Sequence, residues 1–452
     1  MKRRDFLRDS ALLTVAAAAA PELLSATEHQ PAQEPVDAEG PLIVSAPMLQ
    51  NFAETSVGVA FAVSALANGY VVVGGKEDLS DGRKVKCGGF RVTDINDKVM
   101  LIRLTGLKPS TKYYYRIGAD RISFKGGYKM KILGSEEDPV TYSFTTAGKK
   151  TKAHFCVIND THAQKVPVGL ALEKVAEINP ACAIWNGDIC TVDQTMDELV
   201  DIIIRPDAAR KGFAARMPWL LAPGNHDDRG WEARRLERVW MFRQPEERAS
   251  RDWDLGRNFA VRMGEIAMVG LDTGEDKLDS NRKFAGLFNY TPYREAQTLW
   301  LRDSLKRREI ASAPYLVAFC HIPLFDDNPK ANPGDVYPDD ASPEYTLNWA
   351  EWQRTCARMW LPLLEKAGCQ LIITGHQHRY RYDAPDRRHG WAQIVGGGPE
   401  MGYEGKGANR HPDAGKFPTV IEGKVTGGQL EVTVHNLLTG EVQDRFTYKK
   451  RR

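Results

Sequence analysis

The chain has 452 residues, 42% hydrophobic and 27% charged, with 61 Lys and Arg against 59 Asp and Glu and a formal net charge of +2. That length suits two or three domains with a substantial core, and the balance excludes a disordered, collagen-like or membrane-bundle chain. The surplus of positive charge sits in residues 1–20, so no bulk field gathers nucleic acid or an anionic membrane, and any anion specificity has to be local.

In chain order, residues 1–26 begin with Lys2, Arg3 and Arg4, continue into an apolar run at 11–20 and end in small residues. This is the layout of a targeting peptide whose apolar part is too short to span a bilayer. Its Arg3-Arg4-Asp5-Phe6-Leu7 core resembles the twin-arginine export signal. The resemblance implies an exported protein, periplasmic or extracellular, that meets the twin-arginine machinery on its way, with cleavage after Ala20 or Ala26.

Residues 27–40 read as a linker. From 41 to 148, short strand-like runs at 57–63, 70–73, 99–104, 112–117 and 141–145 are separated by turn formers such as Asn68-Gly69 and Ser80-Asp81-Gly82. About a hundred residues of short strands predict a β-sandwich. The segment from Leu107 to Tyr115, LKPSTKYYY, resembles the tyrosine-corner region of fibronectin type III domains. That likeness implies Tyr113 bonding back to the turn and Tyr115 packing on the same face.

From 151 onward apolar strands alternate with amphipathic stretches at 166–178, 196–204, 230–242, 293–308 and 352–366, the periodicity of an α/β domain. Strand-like runs without helices return at 392–395, 419–422, 430–434 and 445–448 and would complete a sheet. Seven cysteines with no CxxC pair exclude a disulfide scaffold and a thiolate zinc ribbon.

Five of the apolar strands end in metal-capable side chains. The run 154–158 leads to Asp160 and His162, 181–185 to Asp188, and 218–221 to Asn225, His226 and Asp227; 315–320 ends at His321, and 369–373 at His376 and His378. Carboxyl ends of strands in an α/β sheet converge on one crevice. Five of the ten histidines occupy these ends. So many unpaired polar groups in one pocket are costly to bury, and divalent ions relieve the cost. Carboxylate, imidazole and amide oxygen together suit Zn, Mn or Fe.

Asp160-x-His162, Gly187-Asp188, Gly224-Asn225-His226-Asp227, His321 and Gly375-His376-x-His378 resemble, in order, the five signature blocks of the calcineurin-like metallophosphoesterases. The sandwich before them and the tail at 440–446 resemble the arrangement in purple acid phosphatases and their bacterial relatives. The resemblance implies an α/β metallophosphoesterase domain over 151–450, with two central sheets flanked by helices. It also implies two metal ions. One is held by Asp160, His162, Asp188 and His378, the other by Asp188, Asn225, His321 and His376, with Asp188 bridging. His226 then faces the substrate, oriented by Asp227.

The implied activity is hydrolysis of phosphate esters by metal-activated hydroxide. An acid phosphatase-like phosphomonoesterase is the first reading. A phosphodiesterase acting on nucleotides or envelope lipids is the second, and a binding protein with a structural metal site the third. Purple enzymes carry a tyrosine three residues past the Gly-Asp aspartate; Thr191 stands there in this chain, which argues against a ferric-tyrosinate site. Cys190, beside Asp188, reads as a packing residue before it reads as a ligand. No GxxxxGK loop is present, and Gly396-Gly397-Gly398-Pro399 reads as a tight turn closing the pocket before it reads as a phosphate nest. Two insertions carry aromatic and basic residues: 275–292, with Asp276, Lys277, Arg282, Lys283, Phe284, Phe288, Asn289 and Tyr290, and 325–349, with Phe325, Tyr337, Tyr345 and Trp349. They read either as recognition loops for a small phosphorylated organic group such as a nucleotide, or as solvated loops packed on the body.

Overall fold

The computed structural model describes residues 40–88, 97–242, 256–325, 343–400 and 415–451, together with Gln244 and without 127, 193–194, 207–208, 210, 278, 280, 282–283 and 388. The side chains of 343–354 are likewise outside the description. The predicted leader, nearly all of the linker, Arg282, Lys283 and residues 326–342 of the second insertion, Tyr337 among them, therefore lie outside the described residues, as do the side chains of Tyr345 and Trp349.

The first third of the chain, among its described residues, is built from strands: β1 (Met48–Gln50), β2 (Val57–Ala62), β3 (Ala67–Gly74), β4 (Arg83–Lys86), β5 (Val99–Leu104), β6 (Lys112–Phe124), β7 (Met130–Glu137) and β8 (Tyr142–Thr145). Their Val, Ile and Tyr content favours a pleated, half-buried surface. Alternating elements follow: β9 (His154–Ile158), α1 (Lys165–Ile178), β10 (Cys182–Trp185), α2 (Met196–Ile203), β11 (Trp219–Leu221), β12 (Phe259–Met263) and β13 (Ile266–Leu271). Then come α3 (Tyr290–Ser304), α4 (Arg308–Ala311), β14 (Tyr315–Cys320), α5 (Pro343–Lys366), β15 (Leu371–Thr374), β16 (Arg381–Asp383) and β17 (Ala392–Val395). Three antiparallel strands close the chain: β18 (Thr419–Thr426), β19 (Gln429–Asn436) and β20 (Val442–Tyr448).

These strands form three sheets. A nine-stranded sheet runs β20-β19-β18-β9-β10-β11-β1-β2-β5, a six-stranded one runs β12-β13-β14-β15-β17-β16, and β3, β4, β6, β7 and β8 make the third. In the first, β9, β10 and β11 are parallel, and β1 lies parallel beside β11 with Gln50 opposite Trp219. The hydrogen-bonded ladder thus crosses the change of pattern near residue 150, and three of the N-terminal strands extend the sheet of the α/β part.

The nine- and six-stranded sheets face each other. Phe155 on β9 meets Phe319 on β14 edge to face at 5.6 Å, inside a buried cluster with Val157, Ile184, Val317 and Ile373. On the outer faces, Leu172, Val175, Leu199 and Ile203 of α1 and α2 pack on Trp185 and Trp219, while Leu301, Trp360 and Leu364 of α3 and α5 pack on Leu316 and Ile372. Layers of helix, sheet, sheet and helix result. Helix α2 begins with a capping box in which Thr195 and Glu198 satisfy each other's backbone N–H groups, worth about 1 kcal/mol.

The predicted corner bond is present: Tyr113 Oη accepts from the Lys108 N–H at 3.0 Å. Tyr115, fully buried, donates its hydroxyl to the Ala215 carbonyl at 2.7 Å and so ties the third sheet to the body. The helix predicted over 230–242 is not formed. A 3-10 run at Ala233–Arg238 replaces it, with Leu236 and Val239 buried. The hairpin of β12 and β13 escaped the sequence reading; its turn is at Gly264, φ +61°.

Candidate metal centre

Strands β9, β10, β11, β14 and β15 all deliver their carboxyl ends to one place. Asp160, His162, Asp188 and His378 each present a ligand atom within 4.8 Å of the others, and so do Asp188, His321 and His376. Asn225 joins the second group, its Oδ1 2.9 Å from His376 Nδ1. The structure therefore gathers all seven residues singled out as ligands into two sets that share Asp188.

Hydrogen bonds outside the cluster turn the imidazole lone pairs inward. His321 Nδ1 lies 2.9 Å from the Asn186 carbonyl, which assigns the proton there. Its Nε2 then faces Asp188 Oδ2 at 3.1 Å and, though fully buried, has no hydrogen-bond partner among the described residues. Glu400 Oε1 accepts from His378 Nδ1 at 3.0 Å, and His378 Nε2 faces His162 Nε2 at 2.8 Å. Two nitrogens that close cannot both carry a proton. A buried ring nitrogen without a hydrogen-bond partner and a facing pair of imidazole nitrogens fit a bound cation, and the nitrogen and oxygen donor set fits Zn, Mn or Fe.

Electrostatics in the cluster pull the groups apart. Burial raises Asp160 above the usual carboxylate range against the pull of His321 and His378. Burial also works on Asp188, but the charges of His321, His226 and His162 overcome it and hold that carboxyl well below its ordinary value. His321, despite burial, is raised to about 10 by Asp188 and Asp160. Burial lowers His162 to about 4 and His376 to about 3. Such divergence among neighbours is the pattern that singles out a candidate functional cluster.

The local backbone is unusual as well. Asp160, His162, Asp188, His376 and His378 have φ of 48°, 45°, 49°, 71° and 51°, the left-handed region that ordinary residues avoid. Gly187, φ +85°, needs that freedom, and a Cβ on it would strike the His321 ring. The glycines at 396 and 398 are close approaches to Asn159 and His378, so the expected backbone approach is present, but residues 396–398 form no turn.

Several residues that steady the cluster were missed. Asn159 Nδ2 donates to Asp160 Oδ2 at 2.6 Å and to the Gly397 carbonyl at 3.1 Å. Asn186 Nδ2 bridges the carbonyls of Cys320 and Ile373 at 3.1 and 3.2 Å, joining the two sheets beneath the site. An asparagine just before each acid, Asn159-Asp160 and Asn186-Gly187-Asp188, was the available signal.

His226 and Asp227 lie in the 3-10 turn His226–Asp228, and their relation differs from the expected one. Asp227 does not orient His226. Its Oδ2 accepts from the Gly224 N–H at 2.8 Å and its Oδ1 from the Cys190 N–H at 3.0 Å, so it clamps the Asp188 loop to the Asn225 loop. Burial, then Asp188, pushes Asp227 up to about 7. His226 is instead held by the Thr191 carbonyl, 3.0 Å from Nδ1, and by Arg229 Nη1, 2.8 Å from Nε2. Its ring stands edge-on to His162 at 4.8 Å. Arg229 is fastened in turn by Glu275, at 2.6 and 2.9 Å, and by Asp276 at 3.1 Å. Asp276 and Lys277, from the first insertion, are thus buried in this network, with Lys277 Nζ 2.5 Å from Asp276 Oδ1. Phe325 packs against His389 at 4.8 Å. Cys190 is buried with Ile189 in the apolar cluster under α1 and α2 and is not among the gathered ligand sets. Among the described residues no helix is long and apolar enough to cross a membrane.

Comparison with known proteins agrees with this geometry. The family model for the calcineurin-like phosphoesterases matches residues 153–380. Probable purple acid phosphatase 20 of Arabidopsis thaliana is 24% identical over 305 residues, covering 64% of this chain and 56% of that protein. Purple acid phosphatase 21 of the same plant is 23% identical over 296 residues, covering 64% and 54%. The chain thus spans a little over half the length of the curated relatives it matches. Among solved structures, purple acid phosphatase PPD1 from yellow lupin (Lupinus luteus) shares the fold with a TM-score of 0.59 at 15% identity, over 90% of this chain and 74% of that one. PhoD does so with a TM-score of 0.59 at 13% identity, over 91% and 92%. The matched segment contains β9 to β15 and every strand end that feeds the cluster, and on that ground the chain belongs to the calcineurin-like phosphoesterase family.

Proposed function

We propose that the protein is a metal-dependent hydrolase of phosphate esters, a phosphomonoesterase first, with Asp160, His162, Asp188 and His378 holding one ion and Asp188, Asn225, His321 and His376 the other. The observation that carries this is the pair of ligand sets sharing Asp188, with the buried His321 Nε2 left for a cation. Purple acid phosphatases among the relatives support the monoester reading. Bound there, two divalent ions supply positive charge to phosphoryl oxygens and acidify water.

The chain's own residues do the rest. Asn186 and Glu400 hold His321 and His378 in one tautomer, with Nε2 free to bind. Thr191 and Arg229 hold His226 neutral, with the proton on Nδ1. To protonate a leaving oxygen, His226 Nε2 has to leave Arg229 and pick up a proton; the imidazolium then serves as general acid or as a fixed charge. With Thr191 in place of the tyrosine, no tyrosinate-iron colour is expected. We also infer that residues 1–26 direct twin-arginine export and that 41–148 form a fibronectin type III-like unit, a reading the Tyr113 corner bond supports.

Metal analysis together with rates on an alkyl monoester, an aryl monoester and a diester tests the proposal. Two ions per chain and faster cleavage of monoesters are expected. Preference for the diester overturns the monoesterase assignment, and a metal-loaded protein that cleaves no phosphate ester overturns the whole reading.

A further inference from the structure

Beside the His226 loop lies an open groove of about 1020 Å³ whose wall includes Asp228, Arg229, Trp231, Arg234, Leu287 and Phe288. Two features set it apart from ordinary surface. Trp231 is 63% exposed and Leu287 84% exposed, large apolar side chains left bare around one depression. The walls are also rich in π faces and guanidinium groups. Arg234 sits over the Trp231 ring at 4.2 Å, and Phe284, Phe288 and Tyr290 form a ladder with ring centres 4.6 and 5.2 Å apart.

The groove adjoins the candidate centre through Arg229. Arg229 forms part of its wall, lies 5.8 Å from the Phe284 ring, and places Nη1 2.8 Å from His226 Nε2. A substrate whose phosphoryl group sits at the cluster and whose leaving oxygen faces His226 therefore has the groove next to it, across one guanidinium. The charges there leave little call for a second anion. Arg229 is matched by Glu275 and Asp276, and Arg257 by Asp228 at 2.6 Å. What the walls offer is flat aromatic surface with a cation stacked on it, which favours a planar π system over a flexible aliphatic chain.

We propose that this groove is the leaving-group subsite and that it takes a planar aromatic ring, such as a nucleobase or a phenol, with Trp231 as its stacking platform. The proposal rests on the phosphoesterase reading above and adds a substrate class to it. Trp231 is exposed, so its truncation does not threaten the fold.

The test compares the native protein with W231A on a nucleoside 5′-monophosphate, phenyl phosphate, glycerol phosphate and a long-chain alkyl phosphate. Equilibrium dialysis of free nucleoside and free phenol against both proteins, without added metal, accompanies the kinetics. The ratio of kcat/KM for ring over glycerol esters should fall about 5- to 150-fold in W231A, mainly through KM, the range expected for loss of one stacked ring. Ring binding in dialysis should fall with it. The ratio for the nucleotide against that for phenyl phosphate then tells which ring source the groove prefers. An unchanged ratio with unchanged dialysis overturns the proposal, as does a native preference for the long-chain ester over both ring esters. If the native protein cleaves none of the four esters, the phosphoesterase reading itself has failed, a result separable from failure of the subsite alone.

Discussion

Asp227 offers a sharp test of how the centre is held together. Its two carboxylate oxygens accept buried backbone N–H groups from Gly224 and Cys190 at 2.8 and 3.0 Å. Those bonds join the loop carrying Asp188 to the loop carrying Asn225 and His226. Asp227→Asn keeps one acceptor and turns an NH2 toward the other N–H, leaving one buried donor unpaired at a cost of about 1–3 kcal/mol. Asp227→Ala removes both acceptors and costs about 2–6 kcal/mol on the same scale. At no more than about 2–4 °C per kcal/mol, the unfolding midpoint falls by several degrees, further in Ala than in Asn. Because Asp188 belongs to both candidate ligand sets, the same change should loosen any metal held there, and a displacement near 1 Å reduces turnover by about 100-fold. Scanning calorimetry, metal content and kcat should move together. A D227N variant with native midpoint and metal content, but with the acid limb of its pH–rate profile shifted, would falsify the clamp and return Asp227 to a role through His226.

Three further outcomes follow from particular contacts. His226→Ala should retain both ions, since its ring is outside the ligand sets and its backbone N–H still reaches Asp188 Oδ1 at 2.8 Å, while kcat falls about 100- to 10,000-fold; metal loss in that variant would make the ring a ligand. Away from the centre, Glu422 accepts from His154 at 2.8 Å and His435 at 3.0 Å, and these bonds hold its carboxyl far below the usual range. A depressed folded-state value gives stability that is present above the unfolded carboxylate range and lost as pH falls, so Glu422→Gln should flatten the acid side of a midpoint-against-pH curve; an unaltered slope refutes this. Tyr115→Phe leaves the buried Ala215 carbonyl unpaired and should cost about 1–3 kcal/mol without changing metal content, as denaturant melts and metal analysis would read.

What the sequence made legible was chemistry at strand ends. Asp160, Asp188, His321 and the pair His376 and His378 each follow an unbroken apolar run, so position and residue type could be read together. The roles that depend on who touches whom could not. Adjacency suggested that Asp227 holds His226, yet in a turn of three residues neighbouring side chains diverge, and the ring is held by the backbone of Thr191, which no side-chain pattern reveals. Glu400 lies 22 positions from His378 and Asn186 lies 134 from Cys320, separations that periodicity does not connect. The same limit hid the pairing of β1 with β11: a buried three-residue strand carries no mark of its partner.

The strain at the centre raises the question of what, besides bound ions, holds it. Five residues in the left-handed region cost about 1 kcal/mol each at the low end, on the order of 5 kcal/mol in all, which is comparable to the net stability of many domains. Each strained loop is braced by another. The Asp160 N–H donates to the Gly187 carbonyl at 3.0 Å and the His162 N–H to the Asp188 carbonyl at 2.9 Å, while the His376 N–H reaches the Asp160 carboxylate at 2.8 Å. The loops after β9, β10 and β15 therefore hold one another through bonds that need no metal, and Asn186 locks the sheets below them. Ions held there would add stability by mass action to loops that these bonds already join, unlike small domains that fold only around their metal. Chelation should accordingly abolish turnover and lower the unfolding midpoint while far-UV circular dichroism keeps its native form. Loss of the native spectrum on chelation would show that the cross-loop bonds are too weak to carry the strain, and that the ions build the centre as well as charge it.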